Sequence, residues 1–182
     1  TVSWNQFSLR VKQVSNALLN LGLKPQEKIA VFAQNCLQYL YTDMGAYGVR
    51  AVTIPFYATS SEQQIQFVVN DAQVRFIFVG EQEQYDKAHR VLNLCSSLER
   101  IVVFDRNVRI SSHDPNTLYF DDFLKLGENL PRQSEVEKLW SEAKEDDLCN
   151  ILYTSGTTGD SKGVMITYSQ YHAALVSNAM CV

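Results

Sequence analysis

Four short apolar runs recur at nearly constant intervals in the first part of the chain. They occupy residues 29–32, 52–54, 76–79 and 101–104, so that their starts are 23, 24 and 25 residues apart. Continuous runs rich in β-branched and aromatic residues are typical of parallel strands that are buried on both faces. Joined by helices through right-handed crossovers, these runs predict an α/β fold with a wound, mainly parallel β-sheet and flanking helices. An α+β arrangement with antiparallel pairs is the alternative.

The stretches between the runs have helical patterns with recognisable starts. Ser3 and Gln6 have the spacing of a capping box, in which each side chain binds a backbone N–H group at the start of a helix. A second such pair, Ser60 and Gln63, precedes a stripe of apolar residues at helical spacing, namely Ile65, Val68, Val69 and Ala72. We therefore expect one helix to begin at each pair.

The composition is that of a globular protein. The chain has 182 residues, of which 46% are hydrophobic, and a formal net charge of −4. This length is enough to bury a sizeable core. The mild acidity argues against a nucleic-acid-binding surface, which needs a cluster of basic residues. No apolar run approaches the roughly 18 residues that a membrane-spanning helix requires.

The cysteines and histidines are scattered along the chain. Neither type occurs in the closely spaced pairs that bind a structural zinc ion, so we predict no metal site made of these side chains. Cysteines without a disulfide framework are typical of reduced thiols, which predicts a cytoplasmic protein, either free or peripheral to a membrane. The chain starts at Thr1 and ends in a helical pattern, so we expect a fragment of a longer protein.

Residues 106–147 interrupt the regular alternation of runs and helices. They contain 10 acidic and 6 basic side chains, a difference that equals the net charge of the whole chain. We interpret this acidic segment as a solvated connection between two sub-domains, with one short helix over residues 135–143. Metal binding or a docking surface is the alternative for its acidic residues. The predicted organisation is a βα-repeating part over residues 1–105, the connection, and the start of the next sub-domain over residues 148–182.

A loop of glycines and hydroxyl residues lies between an apolar run at residues 151–153 and a β-branched run at residues 164–167. Glycines allow successive backbone N–H groups to point into one concavity that binds an anion, while hydroxyl groups and a lysine add donors and a full charge. We therefore predict that the loop binds a polyphosphate. An ordinary turn with its lysine in solvent is the alternative. The candidate ligands are Thr154, Ser155, Gly156, Thr157, Thr158, Gly159 and Lys162.

This loop differs from the P-loop of nucleoside triphosphatases. That motif requires G-x-x-x-x-G-K-[ST], and counting from Gly156 places Ser161 before the lysine and Gly163 after it. A P-loop also runs from a strand into a helix, whereas residues 164–167 have the pattern of a strand. We therefore expect a loop between two strands.

Residues 153–164 resemble the phosphate-binding signature of the adenylate-forming (AMP-binding) enzymes, which include acyl-CoA synthetases, luciferases and the adenylation domains of peptide synthetases. The family pattern is Y-T-S-G-T-T-G-x-P-K-G-V, and this chain departs from it at Ser161, where proline is usual. Tyr168 stands where the acyl-CoA branch commonly has histidine. Residues 48–60 resemble the long-chain fatty acid–CoA ligase branch in particular. The resemblance extends over nearly the whole chain, which corresponds to an N-terminal portion of such an enzyme.

The resemblance implies both a fold and a chemistry. The fold is the N-terminal part of the acyl-CoA synthetase-like fold. Enzymes of this family use ATP and Mg²⁺ to convert a carboxylate into an acyl-adenylate, and then transfer the acyl group to a thiol such as that of coenzyme A. By resemblance, residues 154–162 hold the β- and γ-phosphates, and Thr154 lies near the magnesium ion. The later motifs of the family fall beyond Val182, so the resemblance implies no complete catalytic set in this chain.

We therefore expect the parent protein to be an ATP-dependent ligase that joins a long-chain fatty acid to coenzyme A, and this chain alone to be inactive. The expected partners are small molecules (fatty acid, ATP and CoA), with no nucleic acid. Faces exposed by truncation favour self-association. Three alternatives stay open: an adenylation domain for another carboxylic acid, a non-catalytic nucleotide-binding module, and a structural domain whose loop no longer binds phosphate.

Overall fold

The computed structural model describes residues 1–112, 114–129, 131–154 and 161–180, which form one seven-stranded sheet with helices on both faces. The strands are β1 (Lys28–Phe32), β2 (Val52–Pro55), β3 (Val74–Val79), β4 (Arg100–Val103), β5 (Thr117–Tyr119), β6 (Leu148–Thr154) and β7 (Lys162–Thr167). The helices are α1 (Trp4–Asn20), α2 (Leu37–Gly48), α3 (Glu62–Ala72), α4 (Gln82–Leu92), α5 (Phe120–Asn129), α6 (Gln133–Ser141) and α7 (Tyr168–Met180).

The sheet is wound and mainly parallel, as the spacing of the apolar runs predicts. Its strand order is β5-β4-β3-β1-β2-β6-β7. Every neighbouring pair is parallel except β6 and β7. The four predicted runs coincide with β1 to β4 to within a residue or two, so the predicted fold class is confirmed and the antiparallel α+β alternative is excluded.

Successive residues of the central strands bury their side chains against opposite helical layers. In β3, Ile77 belongs to the core beneath α3 and α4. Its neighbours Phe76 and Phe78 belong to the core on the other face, beneath α1, α2, α5 and α6. All three side chains are almost completely buried. Burial on both faces is the reason why the apolar runs are continuous instead of alternating with polar residues.

One of the two predicted helix starts is confirmed, and the other is displaced by one residue. The capping box predicted for the first helix is present at the start of α1. At α3 the capping box is formed by Ser61 and Gln64. The predicted pair, Ser60 and Gln63, is one residue too early. Ser60 is buried and donates its backbone N–H to the Tyr57 carbonyl in the preceding turn, so the helix begins after Ser61.

Part of the acidic segment belongs to the core, so the interpretation of residues 106–147 as a solvated connection is wrong for residues 117–129. β5 extends the sheet because it pairs in parallel with β4. The acidic side chain of Asp121 stays at the surface, where it binds Arg106. The helix α5 packs against α1. It buries three apolar side chains in the core on this face of the sheet, namely Phe120, Phe123 and Leu124.

The short helix predicted near the end of the acidic segment is present as α6. It begins at Gln133, two residues before the predicted start at 135, and buries Val136 against the layer that contains α1 and α2. The division of the chain into a repeating part, a connection and a following sub-domain stays a prediction.

Candidate phosphate-binding site

The predicted phosphate loop connects two antiparallel strands. β6 and β7 form a hairpin. They pair from Leu148 and Thr167, at the end far from the loop (its root), to Thr154 and Lys162, at the end that carries the loop (its loop end). A strand therefore lies on both sides of the loop, as predicted. This arrangement differs from a P-loop, in which the loop leads directly into a helix.

Two of the predicted ligands lie opposite each other at the loop end of this hairpin. Thr154 and Lys162 form the last cross-strand pair, and both residues are exposed. Opposite residues in an antiparallel pair have Cβ atoms about 4.5–5.5 Å apart, so the hydroxyl and ammonium groups can reach the same anion. The other predicted ligands lie outside the described residues, and their role stays a prediction: Ser155, Gly156, Thr157, Thr158 and Gly159.

Buried polar side chains connect the root of β6 to the rest of the sheet. The register of β2 and β6 places Thr53 beside Asn150. The Asn150 amide donates to the Thr53 hydroxyl over 2.6 Å, and the Asn150 carbonyl accepts from the Tyr47 hydroxyl over 3.0 Å. A buried polar atom without a partner costs free energy, so these hydrogen bonds favour one register of β6.

An ion pair anchors the start of β6. Arg50 Nε donates to Asp147 Oδ2 over 2.9 Å, and only 13% and 11% of the two side chains are exposed. Burial acts to raise the pKa of Asp147, but hydrogen bonds from Arg50 and from the Lys144 backbone outweigh it and hold the pKa below its ordinary value. Asp147 is therefore a carboxylate at neutral pH, and it connects the start of the strand that leads to the loop to Arg50, two residues after the end of α2.

Tyr153, which directly precedes Thr154, is packed against α3 and against β7. Its hydroxyl donates to the Asp71 carboxylate in the last turn of α3, and its ring meets Phe67 edge-on. Tyr153 lies opposite Gly163, where an added Cβ would be only 3.1 Å from the tyrosine ring. The missing side chain of Gly163 therefore leaves the space that Tyr153 occupies.

Helix α7 begins beside the root of the hairpin. Tyr168 and Tyr171 pack near Tyr47 of α2, with ring centroids 6.1 and 6.2 Å away. Burial, with smaller contributions from Cys149 and Asp147, raises the pKa of Tyr168 to about 12. Where the resemblance leads one to expect a histidine, this chain therefore has a side chain that stays neutral at physiological pH.

Two carboxylates near the hairpin, Asp43 and Asp71, are not among the residues predicted from the sequence. Asp71 binds Tyr153, and Asp43 hydrogen-bonds to Thr53. Asp71 has no distinguishing signal, because a polar residue near the end of an amphipathic helix is typical of a solvated face. Asp43 does have a distinguishing signal, because it is the single charged residue of α2.

The exposed Thr154 hydroxyl at the loop end of the hairpin is an oxygen donor of the kind that Mg²⁺ accepts. Mg²⁺ keeps several waters and takes further oxygen ligands from substrate phosphates, so it needs few ligands from the protein, and a hydroxyl such as that of Thr154 is compatible with that role. In the part of the chain that the structure describes, no three His, Cys, Asp or Glu side chains come together as a metal-binding group. No helix within those same residues is long and apolar enough to cross a membrane.

The fold and the site define an α/β protein with a glycine- and hydroxyl-rich loop on an antiparallel hairpin at one edge of a parallel sheet. The chain matches the AMP-binding enzyme family over residues 1–181, and it belongs to that family. This membership confirms the resemblance identified from the loop sequence.

Curated relatives of the chain are fatty acid ligases of greater length. The chain is 31% identical over 175 residues to fatty acyl-CoA synthetase A of Dictyostelium discoideum, covering 92% of this chain and 25% of that protein. It is 29% identical over 168 residues to long-chain-fatty-acid–CoA ligase ACSBG2 of Homo sapiens, again covering 92% of this chain and 25% of that protein. The chain thus spans about a quarter of the length of these relatives.

Solved structures share the fold at lower sequence identity. The anthranilate CoA ligase AuaEII in complex with anthranoyl-AMP superposes with a TM-score of 0.76 at 22% identity, covering 93% of this chain and 30% of that one. A putative long-chain-fatty-acid CoA ligase from Rhodopseudomonas palustris has a TM-score of 0.77 at 17% identity, covering 99% of this chain and 41% of that one. These similarities establish that the chain has the fold of the corresponding part of such ligases.

Proposed function

We propose that the protein containing this chain is an ATP-dependent acyl-CoA ligase and that the chain provides its phosphate-binding hairpin. The observation that carries the proposal is the register of β6 and β7, which places Thr154 opposite Lys162 at the loop end of the hairpin. Membership of the AMP-binding enzyme family supports ATP as a substrate. The names of the curated relatives support a long-chain fatty acid as the acid and coenzyme A as the acceptor.

In the proposed reaction, a carboxylate oxygen of the fatty acid attacks the α-phosphorus of ATP, and pyrophosphate leaves with the electron pair of the broken P–O bond. The CoA thiol then attacks the acyl carbon of the acyl-adenylate, and AMP leaves. This chain acts in the first step, because the Lys162 ammonium and the Thr154 hydroxyl bind the phosphates that become pyrophosphate. Positive charge and donors held beside a leaving group stabilise the negative charge that develops there. From this chain the Thr154 hydroxyl would hold a bound Mg²⁺, which would supply further positive charge to the same phosphates.

The proposal is tested by ATP–pyrophosphate exchange with the full natural protein that contains this chain. Adenylation is reversible when pyrophosphate is supplied, so labelled pyrophosphate enters ATP only when the protein activates the acid that is present. We expect exchange with saturated fatty acids, with the greatest rate for a long-chain acid. Exchange with only amino or aryl acids would retain the adenylation chemistry and contradict the fatty acid substrate. No exchange with any acid would contradict the ligase and leave a nucleotide-binding module or a structural domain.

Replacing Lys162 by alanine should weaken the binding of ATP. A charge-assisted hydrogen bond is worth about 1.5–3 kcal/mol, so we expect the KM for ATP in the exchange reaction to rise about 10- to 100-fold. Lys125→Ala is the matched control, since it removes an exposed lysine on α5 that pairs with Asp122. Equal effects of the two substitutions would show that net charge alone is responsible, and would contradict a contact between Lys162 and phosphate.

Two further expectations concern the surroundings of the protein. A cytoplasmic location, either free or peripheral to a membrane, stays a prediction. Self-association of the isolated chain also stays a prediction, and it is supported by the strand β7, whose Val164 and Met165 side chains are 50% and 63% exposed.

A further inference from the structure

The outer half of β6 has little support from the parallel part of the sheet. β6 pairs with β2 through the single register position of Thr53 and Asn150, near the root of the hairpin. From Ile151 to Thr154, the hydrogen-bonded neighbour of β6 is β7, an edge strand with exposed residues. A two-stranded ribbon is only marginally stable by itself, so the position of the loop end of the hairpin depends on side-chain contacts.

Tyr153 makes the contacts that connect this outer half to a helix. Its hydroxyl donates to the Asp71 carboxylate, and its ring meets the Phe67 ring edge-on, with centroids 6.5 Å apart and planes at 87°. Phe67 and Asp71 both lie on α3, four residues apart, and therefore on the same face of that helix. The apolar stripe of α3 is buried in the core, so the helix is a rigid support.

The same ring is in close contact with the opposite strand. A Cβ at Gly163 would lie 3.1 Å from Tyr153 Cζ, 3.3 Å from the tyrosine hydroxyl oxygen and 2.9 Å from Ile151 Cγ2. The Tyr153 ring therefore lies against the backbone of β7 at Gly163. The next pair toward the loop is Thr154 and Lys162, so a tilt of the ring would displace both candidate phosphate ligands together.

The hydroxyl of Tyr153 is a permanent donor to Asp71. Burial, together with the hydrogen bond and the negative charge of Asp71, raises the pKa of Tyr153 well above its usual range. The phenol therefore stays protonated at every physiological pH. Hydrogen bonds to an ionised acceptor are roughly twice as strong as neutral ones, so this bond resists competition from water even though Asp71 is exposed.

We propose that Asp71 is a positioning residue for phosphate binding: by holding Tyr153 against Gly163, it fixes the position of the loop end of the hairpin so that Thr154 and Lys162 face the same anion. The inference rests on the proposed function of the loop and adds a residue of α3 to it. Asp71 acts through Tyr153 and does not itself contact the nucleotide.

The first test is the kinetics of ATP–pyrophosphate exchange in the full natural protein with five variants. Asp71→Ala and Tyr153→Phe should each raise the KM for ATP about 5- to 10-fold with a smaller change in kcat, and the double variant should match either single variant, because both remove the same bond. Asp71→Asn should retain most of the affinity, since its amide oxygen still accepts from the tyrosine. Glu83→Ala, which removes an exposed carboxylate on α4 that pairs with Lys87, should leave the KM unchanged.

The second test is amide hydrogen exchange of the same protein and does not depend on activity. Asp71→Ala and Tyr153→Phe should increase the exchange rates of residues 162–164, whereas Glu83→Ala should not. Unchanged exchange and an unchanged KM in Asp71→Ala would overturn the proposal, as would additive effects in the double variant. If the unsubstituted protein activates no acid, the proposed function fails. Faster exchange at residues 162–164 in Asp71→Ala would then still show that Asp71 stabilises the hairpin, and unchanged exchange would overturn this.

Discussion

Replacing Gly127 by alanine is expected to remove about 3–5 kcal/mol from the free energy of unfolding. A Cβ at this position of α5 would lie 1.9 Å from the Gln13 carbonyl oxygen and 2.9 Å from the Ala17 backbone nitrogen of α1. Both are backbone atoms in the buried half of α1, so no side-chain rotation can relieve the clash. The two helices must move apart, and the apolar side chains between them then lose their close packing.

Hydrogen bonds on both sides of this crossing limit how far α5 can move. The Asn20 side chain donates to the Leu126 carbonyl over 2.7 Å. Beyond the end of α5, Arg132 donates to the Leu19 carbonyl over 2.7 Å, and its backbone N–H donates to Asn16 over 3.0 Å. A displacement of α5 would strain these bonds as well.

Two substitutions serve as controls for Gly127→Ala in urea unfolding followed by circular dichroism. Glu128→Ala changes the next residue of α5, which is exposed, and should change the free energy of unfolding by less than about 0.5 kcal/mol. Gly22→Ala has space for a Cβ but a φ of +77°, so it should cost about 1 kcal/mol. If Gly127→Ala costs no more than Gly22→Ala, the close approach of α1 and α5 is contradicted.

Replacing Asp43 by asparagine is expected to stabilise the protein by about 2 kcal/mol at pH 7. The Oδ1 atom of Asp43 is buried and has no hydrogen-bond partner among the described residues. Burial raises the pKa of Asp43 from 3.8 to about 6, while a hydrogen bond with Thr53 partly opposes the rise. At neutral pH the native protein therefore carries a buried negative charge, and the neutral amide removes this cost while its oxygen still accepts from the Thr53 hydroxyl.

The sign of the pH dependence follows from the raised pKa of Asp43. Well below its ordinary pKa of 3.8, this carboxyl is protonated in both the folded and the unfolded chain, so it causes no penalty. As the pH rises toward 6, the unfolded chain loses its proton first. The contribution of Asp43 to stability therefore falls between its ordinary pKa of 3.8 and its folded pKa of about 6, and it is constant at higher pH.

The measurement is urea unfolding of the unsubstituted protein and of Asp43→Asn at pH 4.5, 5.5 and 7. The advantage of Asp43→Asn should be largest at pH 7 and should shrink as the pH is lowered. Asp146→Asn, which changes an exposed carboxylate, is the control and should show little difference at any of these pH values. An advantage that is the same at all three pH values would show that the effect does not come from ionisation of Asp43.

Most of the helices and strands could be predicted from the sequence, and the elements that were missed, β5 and α5, were missed for physical reasons. The runs that become β1 to β4 are continuous because both faces of each strand are covered, which makes them easy to recognise. β5 has only three residues and gains its stability from the neighbouring β4, so nothing local distinguishes it from a loop. The acidic residues at the start of α5 obscure its buried apolar face in the sequence. Asp121 and Asp122 stand between Phe120 and Phe123 along the chain, but the two phenylalanines are buried on a different side of the helix.

The candidate site divides in the same way. Its loop could be identified because glycines, hydroxyl residues and a lysine are adjacent in the sequence, and the hairpin follows from the strand patterns on both sides. The supporting residues could not be identified, because Asp71 and Tyr153 are 82 residues apart and meet only through the order of the strands and the placement of α3.

By itself, the sequence determined the parallel α/β class and the family, because these depend on local periodicity and on a contiguous motif, and from the same motif it predicted a phosphate-binding loop. Only the tertiary structure decided the strand order, the close crossing of α1 and α5 at Gly127, the buried charge of Asp43 and the support of the hairpin by Asp71. The physical reason is that local patterns specify which residues are buried. Which buried residues then meet depends on how the helices cross the sheet and on the register of each strand.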